Sequence, residues 1–186
     1  LDFAGPYEVF TTASRMAVRM KPQSPAPFAV QCVARGSEAV RARAGLRVLP
    51  DASFADVSAC DLLIVPGGVV DAALACDETR RWIAAAAASA KTVASVCTGA
   101  FLLANSGVIT RGPVTTHWED VADLERMFPA LQVQTDQRWV EQGRIVSSAG
   151  ISAGLDMSLH LVAKLAGQAL AERTARQMDY AWQSTP

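Results

Sequence analysis

Apolar positions along this chain come in two rhythms, and the rhythms alternate. Short, unbroken runs of aliphatic and β-branched residues read as strands buried on both faces. They are Phe28–Ala34, Leu46–Pro50, Asp61–Gly68 and the stretch from Thr92 to Cys97. Gly112–Thr116 and Gln132–Thr135 continue the series, and Arg138–Val140 pairs with Arg144–Ser147 across a turn at Gln142-Gly143. Between them lie segments with helical spacing. The first runs through Glu8, Val9 and Phe10, with Pro6 in its opening turn. Then come Asp77–Ser89 with Asp77 as N-cap, Thr98–Asn105, and Glu119–Met127, stopped by Pro129. Ala153–Leu165 and Ala169–Met178 follow, broken at Gly167. Strands alternating with helices predict an α/β fold, with a mostly parallel sheet covered by helices on both faces. An α/β domain is expected to open on a strand. This chain opens on the loop Leu1–Pro6, so a first strand is expected to be missing.

Composition narrows the class. The 186 residues are 51% hydrophobic, enough for one domain spanning residues 1–186 with a sizeable core. Seventeen basic and 18 acidic residues leave a net charge of −1, without the basic stripe of a nucleic-acid surface. No apolar run is long enough to span a bilayer, and the alanine-rich stretch at 83–90 reads as a soluble helix. The four cysteines, Cys32, Cys60, Cys76 and Cys97, show neither metal-ligand spacing nor a disulfide framework. Reduced thiols in a cytoplasmic protein are expected, with no metal.

One cysteine stands apart. In Ser95-Val96-Cys97-Thr98-Gly99 a buried strand stops at Cys97 and a helical pattern starts at the next residue. That is the layout of a nucleophile elbow, with cysteine in the place of serine. Free N–H groups at a helix start favour a thiolate, so Cys97 reads as a nucleophile against the alternative of a core thiol. The Thr98 amide is placed to stabilise an anion beside Cys97. Its hydroxyl is a second donor to the thiolate or a water, or belongs to a simple first-turn threonine. Gly67-Gly68, at the end of a strand, reads as the other half of an oxyanion hole or as a tight turn. Asp2 is either a proton shuttle for Cys97 or a solvated loop carboxylate. His117 is a candidate base, a pocket-lining residue or a helix-starting residue. His160 and Cys32 read as structural, and Cys60 and Cys76 as packing or surface residues.

Taken in order, Leu1-Asp2-Phe3-Ala4-Gly5-Pro6-Tyr7-Glu8-Val9-Phe10, Val65-Pro66-Gly67-Gly68, Ser95-Val96-Cys97-Thr98-Gly99, Thr115-Thr116-His117-Trp118 and Ser148–Asp156 resemble the ThiJ/PfpI superfamily. The resemblance covers nearly the whole chain. It implies a flavodoxin-like three-layer sandwich, related to class I glutamine amidotransferase domains, with a strand ahead of Leu1. Within the superfamily the motifs are most similar to isocyanide hydratases and to the sensor domains of AraC-type regulators. The hydratase resemblance implies Cys97, Thr98 and Asp2 as the catalytic set, with no cofactor. It also implies that Gly68 and Thr98 orient ligand and water, and that Gly150 and Ile151 line the pocket. Phe3, Tyr7, Trp118 and Ile151 either shape the ligand space or belong to the core. Peptidases of the superfamily carry a histidine directly after the cysteine; Thr98 stands there instead. A glyoxalase- or deglycase-like stress protein is a further alternative. A homodimer acting on a small molecule, away from membrane and nucleic acid, is expected from the resemblance.

Overall fold

In a computed structural model describing residues 1–186, the elements follow in chain order. They are α1 (Ala4–Met20), β1 (Val33–Ala34), β2 (Val40–Arg41), β3 (Arg47–Val48), β4 (Ala52–Ser53), β5 (Leu62–Val65), α2 (Asp71–Leu74), α3 (Asp77–Ser89) and β6 (Thr92–Val96). The second half adds α4 (Gly99–Asn105), β7 (Gly112–Val114), α5 (Val121–Met127), β8 (Leu131–Val133), β9 (Trp139–Gln142), β10 (Ile145–Ser148), α6 (Ala153–Ala166) and α7 (Gln168–Gln177). The central sheet has the order β5-β6-β10-β9. Its first three strands are parallel, and β9 returns antiparallel through the hairpin at Gly143. The pairs β1–β4 and β7–β8 are also parallel, and β2–β3 is a small antiparallel ribbon.

Each face of the sheet buries its own apolar cluster. On one side α1, α6 and α7 bring Val9, Phe10, Met16, Leu159, Leu161 and Leu170 onto Ala94, Val96 and Val146. On the other, α3, α4 and α5 bring Ile83, Phe101, Leu103 and Leu124 onto Leu63, Val65 and Val93. This is the three-layer α/β sandwich the alternating pattern predicts. All five residues of β6 are buried, because helices cover both of its faces.

Several boundaries differ from the expectations. The apolar run 28–34 pairs only at Val33–Ala34, because no neighbouring strand lies along its first half. Helix α3 has the expected span, but its N-cap is Cys76, not Asp77. The segment from Glu119 enters α5 through a 3₁₀ turn at Trp118–Asp120.

A buried ion pair ties the end of the chain to the sheet. Asp156 on α6 has no solvent exposure and accepts Arg138 Nε at 2.7 Å and the Gln183 amide at 3.0 Å. The Tyr180 hydroxyl also bonds it, and together with burial and the charge of Asp156 this pushes the phenol's pKa upward. Removing one member of such a pair strands a buried charge. Asp156→Ala is therefore expected to cost about 3–5 kcal/mol. In thermal unfolding that is a Tm lower by at least roughly 6 °C; an unchanged Tm would show that the Arg138 guanidinium finds water instead.

Candidate functional site

The site is built where the parallel strands end. Strand β6 terminates in Cys97, and the backbone there is forced to φ 56°, a left-handed conformation that costs a non-glycine residue about 1–3 kcal/mol. Long-range contacts hold it. The Cys97 amide donates to Ser148 O at 3.2 Å, and the Thr116 hydroxyl donates to Cys97 O at 3.0 Å. The turn needs close backbone approach as well. A Cβ on Gly99 would lie 2.1 Å from Val65 O, and one on Gly67 would lie 2.6 Å from the Thr98 amide nitrogen. Glycine at both positions lets the elbow sit against the end of β5.

Cys97 is buried, with 6% of the residue exposed, and its thiol meets three groups. The amides of Thr98 and Ile151 donate to its sulfur, and the Asp2 carboxylate accepts from it. Ile151 reaches this position by taking φ 47°, a second left-handed non-glycine residue at one site. These groups act in opposite directions on the thiol. Burial pushes its pKa up most strongly, and the negative charge of Asp2 adds to that. The two amides pull it down but do not prevail. The helix start alone favours a thiolate; burial and the charge of Asp2 act against it and push the thiol's pKa upward.

Two further expectations are revised. The Thr98 hydroxyl does not face the sulfur; it lies 2.8 Å from both the amide nitrogen and the carbonyl oxygen of Gly68. It thereby locks the turn at the end of β5 onto the elbow. The same contact occupies the Gly68 amide, so the second donor at the sulfur is the Ile151 amide and not Gly68. His117 packs its ring directly on Gly150, where a Cβ would lie 2.1 Å from the imidazole Cδ2. Its Nδ1 accepts the Glu119 amide at 3.3 Å and lies 3.4 Å from Asp120, and no hydrogen bond joins it to Cys97. His117 lines the site and supports the Gly150-Ile151 turn. His160 bonds Glu141 at 3.0 Å, on α6 and away from the elbow.

The Thr116 hydroxyl on Cys97 O and the Ile151 amide on the sulfur are contacts that the residue pattern does not announce. A buried threonine at a strand end and an exposed isoleucine carry no chemical signal of their own. Cys76 is the other surprise. At the start of α3 its sulfur is bonded by the Thr79 hydroxyl and amide and by Arg35 Nη1 at 3.7 Å, which lowers its pKa to about 7. Iodoacetamide at neutral pH is therefore expected to label Cys76 before Cys97 in peptide mapping. Labelling in the reverse order would mean that Cys97 is the more ionised thiol.

No group of three or more histidine, cysteine or carboxylate side chains is placed to hold a metal ion. No helix is long and apolar enough to cross a membrane.

Comparison with known proteins agrees with this architecture. The sequence profile of the DJ-1/PfpI family matches residues 1–164. Isonitrile hydratase of Pseudomonas putida is 32% identical over 182 residues, covering 97% of this chain and 73% of that protein. The HTH-type transcriptional regulator GbdR of Pseudomonas aeruginosa is 31% identical over 136 residues, covering 73% of this chain and 37% of the regulator. Among solved structures, a THiJ/PfpI family protein from Pseudomonas syringae superposes with a TM-score of 0.83 at 30% identity, over 98% of this chain and 70% of that one.

Proposed function

This chain belongs to the DJ-1/PfpI family, and from that premise we propose that it is a cysteine-nucleophile enzyme hydrating an isocyanide to an N-substituted formamide. One observation carries the reading: the carboxylate of Asp2 holds the proton of a thiol whose sulfur also meets two backbone amides. An acid–base group on the nucleophile is what addition to a neutral carbon electrophile requires. The similarity to an isonitrile hydratase along 97% of the chain supports the substrate class.

The chemistry proceeds without a cofactor. Asp2 takes the thiol proton as Cys97 Sγ bonds to the terminal isocyanide carbon. Asp2 then returns that proton to the same carbon, giving a thioimidate. Water adds to the thioimidate carbon with proton transfer to nitrogen. The carbon–sulfur bond breaks, the formamide leaves, and Cys97 recovers its proton. The Thr98 and Ile151 amides stabilise negative charge on sulfur at the start and again at the last step. Thr98 and Gly67-Gly68 position the turn, and His117 and Gly150 hold the Ile151 amide in place.

Val69, Trp118 and Ile151 follow Gly68, His117 and Gly150 directly in sequence, and all three are exposed, Trp118 to 74%. Large apolar side chains on three turns around one thiol suit an aryl or alkyl substituent on the isocyanide nitrogen. They also suit coverage by a second copy of this chain, which the proposal includes as a homodimer. The direct test is ultraviolet detection of formamide formed from p-nitrophenyl isocyanide. Production that depends on Cys97 supports the reading, and its absence with folded protein refutes it.

A second reading has its own support. The chain matches a transcriptional regulator over a region that makes up 37% of that protein. In that role the same site binds a small molecule without turning it over. Saturable ligand binding with no product would favour it.

A further inference from the structure

The oxygen that water adds to the thioimidate carbon needs a hydrogen-bond donor, because negative charge gathers on it as the carbon–sulfur bond breaks. The donors already placed at the elbow are committed elsewhere. The Thr98 and Ile151 amides face the Cys97 sulfur. The Gly68 amide donates to the Thr98 hydroxyl, which in turn donates to Gly68 O. The Thr116 hydroxyl donates to Cys97 O at 3.0 Å.

His117 carries a donor that is free. Its Nδ1 accepts the Glu119 amide at 3.3 Å and lies 3.4 Å from a carboxylate oxygen of Asp120. With Nδ1 turned to those groups, Nε2 bears a hydrogen whether the ring is neutral or charged. That N–H makes no hydrogen bond within the protein. It stands on the Gly150 side of the ring, 3.1 Å from where a Cβ on that glycine would lie. The chain on both sides of this contact reaches the elbow. Thr116, just before the ring, bonds Cys97 O, and Ile151, just after the glycine, bonds Cys97 Sγ. The Glu119 bond and the Gly150 contact hold the ring, whose side chain is 17% exposed. A donor fixed in this way costs no reorganisation when charge develops.

We propose that His117 is a catalytic residue of the second half-reaction, its Nε2–H binding the oxygen that comes from water. The assignment rests on the hydratase reading. The water oxygen bonds to the thioimidate carbon, one water proton goes to nitrogen, and the carbon–nitrogen double bond becomes single. In this tetrahedral adduct the hydroxyl oxygen accepts from His117 Nε2. When the carbon–sulfur bond breaks, its electron pair leaves with Cys97 Sγ. The hydroxyl proton passes through Asp2 to that sulfur, and the oxygen becomes the formamide carbonyl, still bonded to His117. The imidazole gives up no proton at any point, which separates this role from that of a base for the thiol. In the first half-reaction the carbon bears no oxygen, and Nε2 has nothing to bind.

The experiment follows p-nitrophenyl isocyanide through a single turnover on the full chain carrying Cys76→Ser, with the thioimidate adduct read by intact mass after quenching. His117→Phe and His117→Leu remove the N–H, and His117→Gln returns one near its place. Near-ultraviolet circular dichroism selects the folded variants. Adduct formation is expected at the parent's rate in all of them. Adduct decay is expected to slow by about 100- to 1,000-fold in the two apolar variants, and glutamine to recover at least about tenfold of that loss. Decay at the parent's rate in a folded apolar variant would overturn the assignment and leave the hydratase reading intact. Equal slowing of formation and decay would overturn it too, since that is what losing the support under the Gly150-Ile151 turn would produce. A parent that forms neither adduct nor formamide would overturn the hydratase reading, and the assignment with it.

Discussion

Cys97→Ala is expected to remove at least about 1,000-fold of kcat on an isocyanide, because no other group at the elbow can form the covalent intermediate. The only other groups at the sulfur are two amides and a carboxylate, and none of them is a substitute nucleophile of comparable softness. The fold should survive. The elbow is held by bonds to the Cys97 amide and carbonyl, from Ser148 and Thr116, and alanine keeps both. Side-by-side assays of formamide production, with near-ultraviolet circular dichroism as the fold control, check this. Retained turnover in a folded Cys97→Ala protein would remove the cysteine from the mechanism, and Cys76 would be the next thiol to delete.

Asp2→Asn is expected to separate acidity from catalysis. The charge of Asp2 raises the thiol's pKa, so removing it lowers that pKa and enlarges the thiolate fraction at neutral pH. Alkylation of Cys97 should therefore begin at lower pH in the variant than in the parent. Turnover should move the other way, falling by about 100- to 10,000-fold, because asparagine cannot carry a proton from sulfur to carbon. A faster-alkylating, slower-turning enzyme is the diagnostic pair. If the rate on isocyanide is untouched, the proton passes through another group. If alkylation does not shift, Asp2 is not close enough to the sulfur to act on it. Both experiments require Cys76 to be blocked or replaced by serine, since that thiol, at about 7, would dominate the labelling signal.

The strongest local signals were the ones the residue pattern could carry. Helix α3 has the predicted span from Asp77 to Ser89, because its alanine-rich body and acidic first turn leave little competition. Strand β6 and the start of α4 were legible for a similar reason: β-branched residues run up to Cys97 and a Thr-Gly pair opens the helix. The run 28–34 shows the opposite case. Its apolar character correctly marks it as facing a core, but pairing is a property of neighbours, and only Val33–Ala34 has one. Thr98 shows the same limit at the site. Its position after the cysteine was readable, whereas the direction of its hydroxyl depends on a turn 30 residues earlier in the chain.

From the sequence alone come the alternation of strands and helices, the elbow cysteine and the composition of a core-rich α/β domain, because each is written in residues close together in the chain. Tertiary structure decided how the site works. It brought Asp2, Thr98 and Ile151 onto one sulfur from three separate segments, and there burial and the charge of Asp2 push the thiol's pKa up where a helix start alone would pull it down. It also bent Cys97 and Ile151 into left-handed backbone that nothing in their side chains favours. The physical reason is range. Helix and strand preferences act over a few residues, while burial, charge and strain at Cys97 are set by groups nearly a hundred positions away in sequence and in contact only after folding.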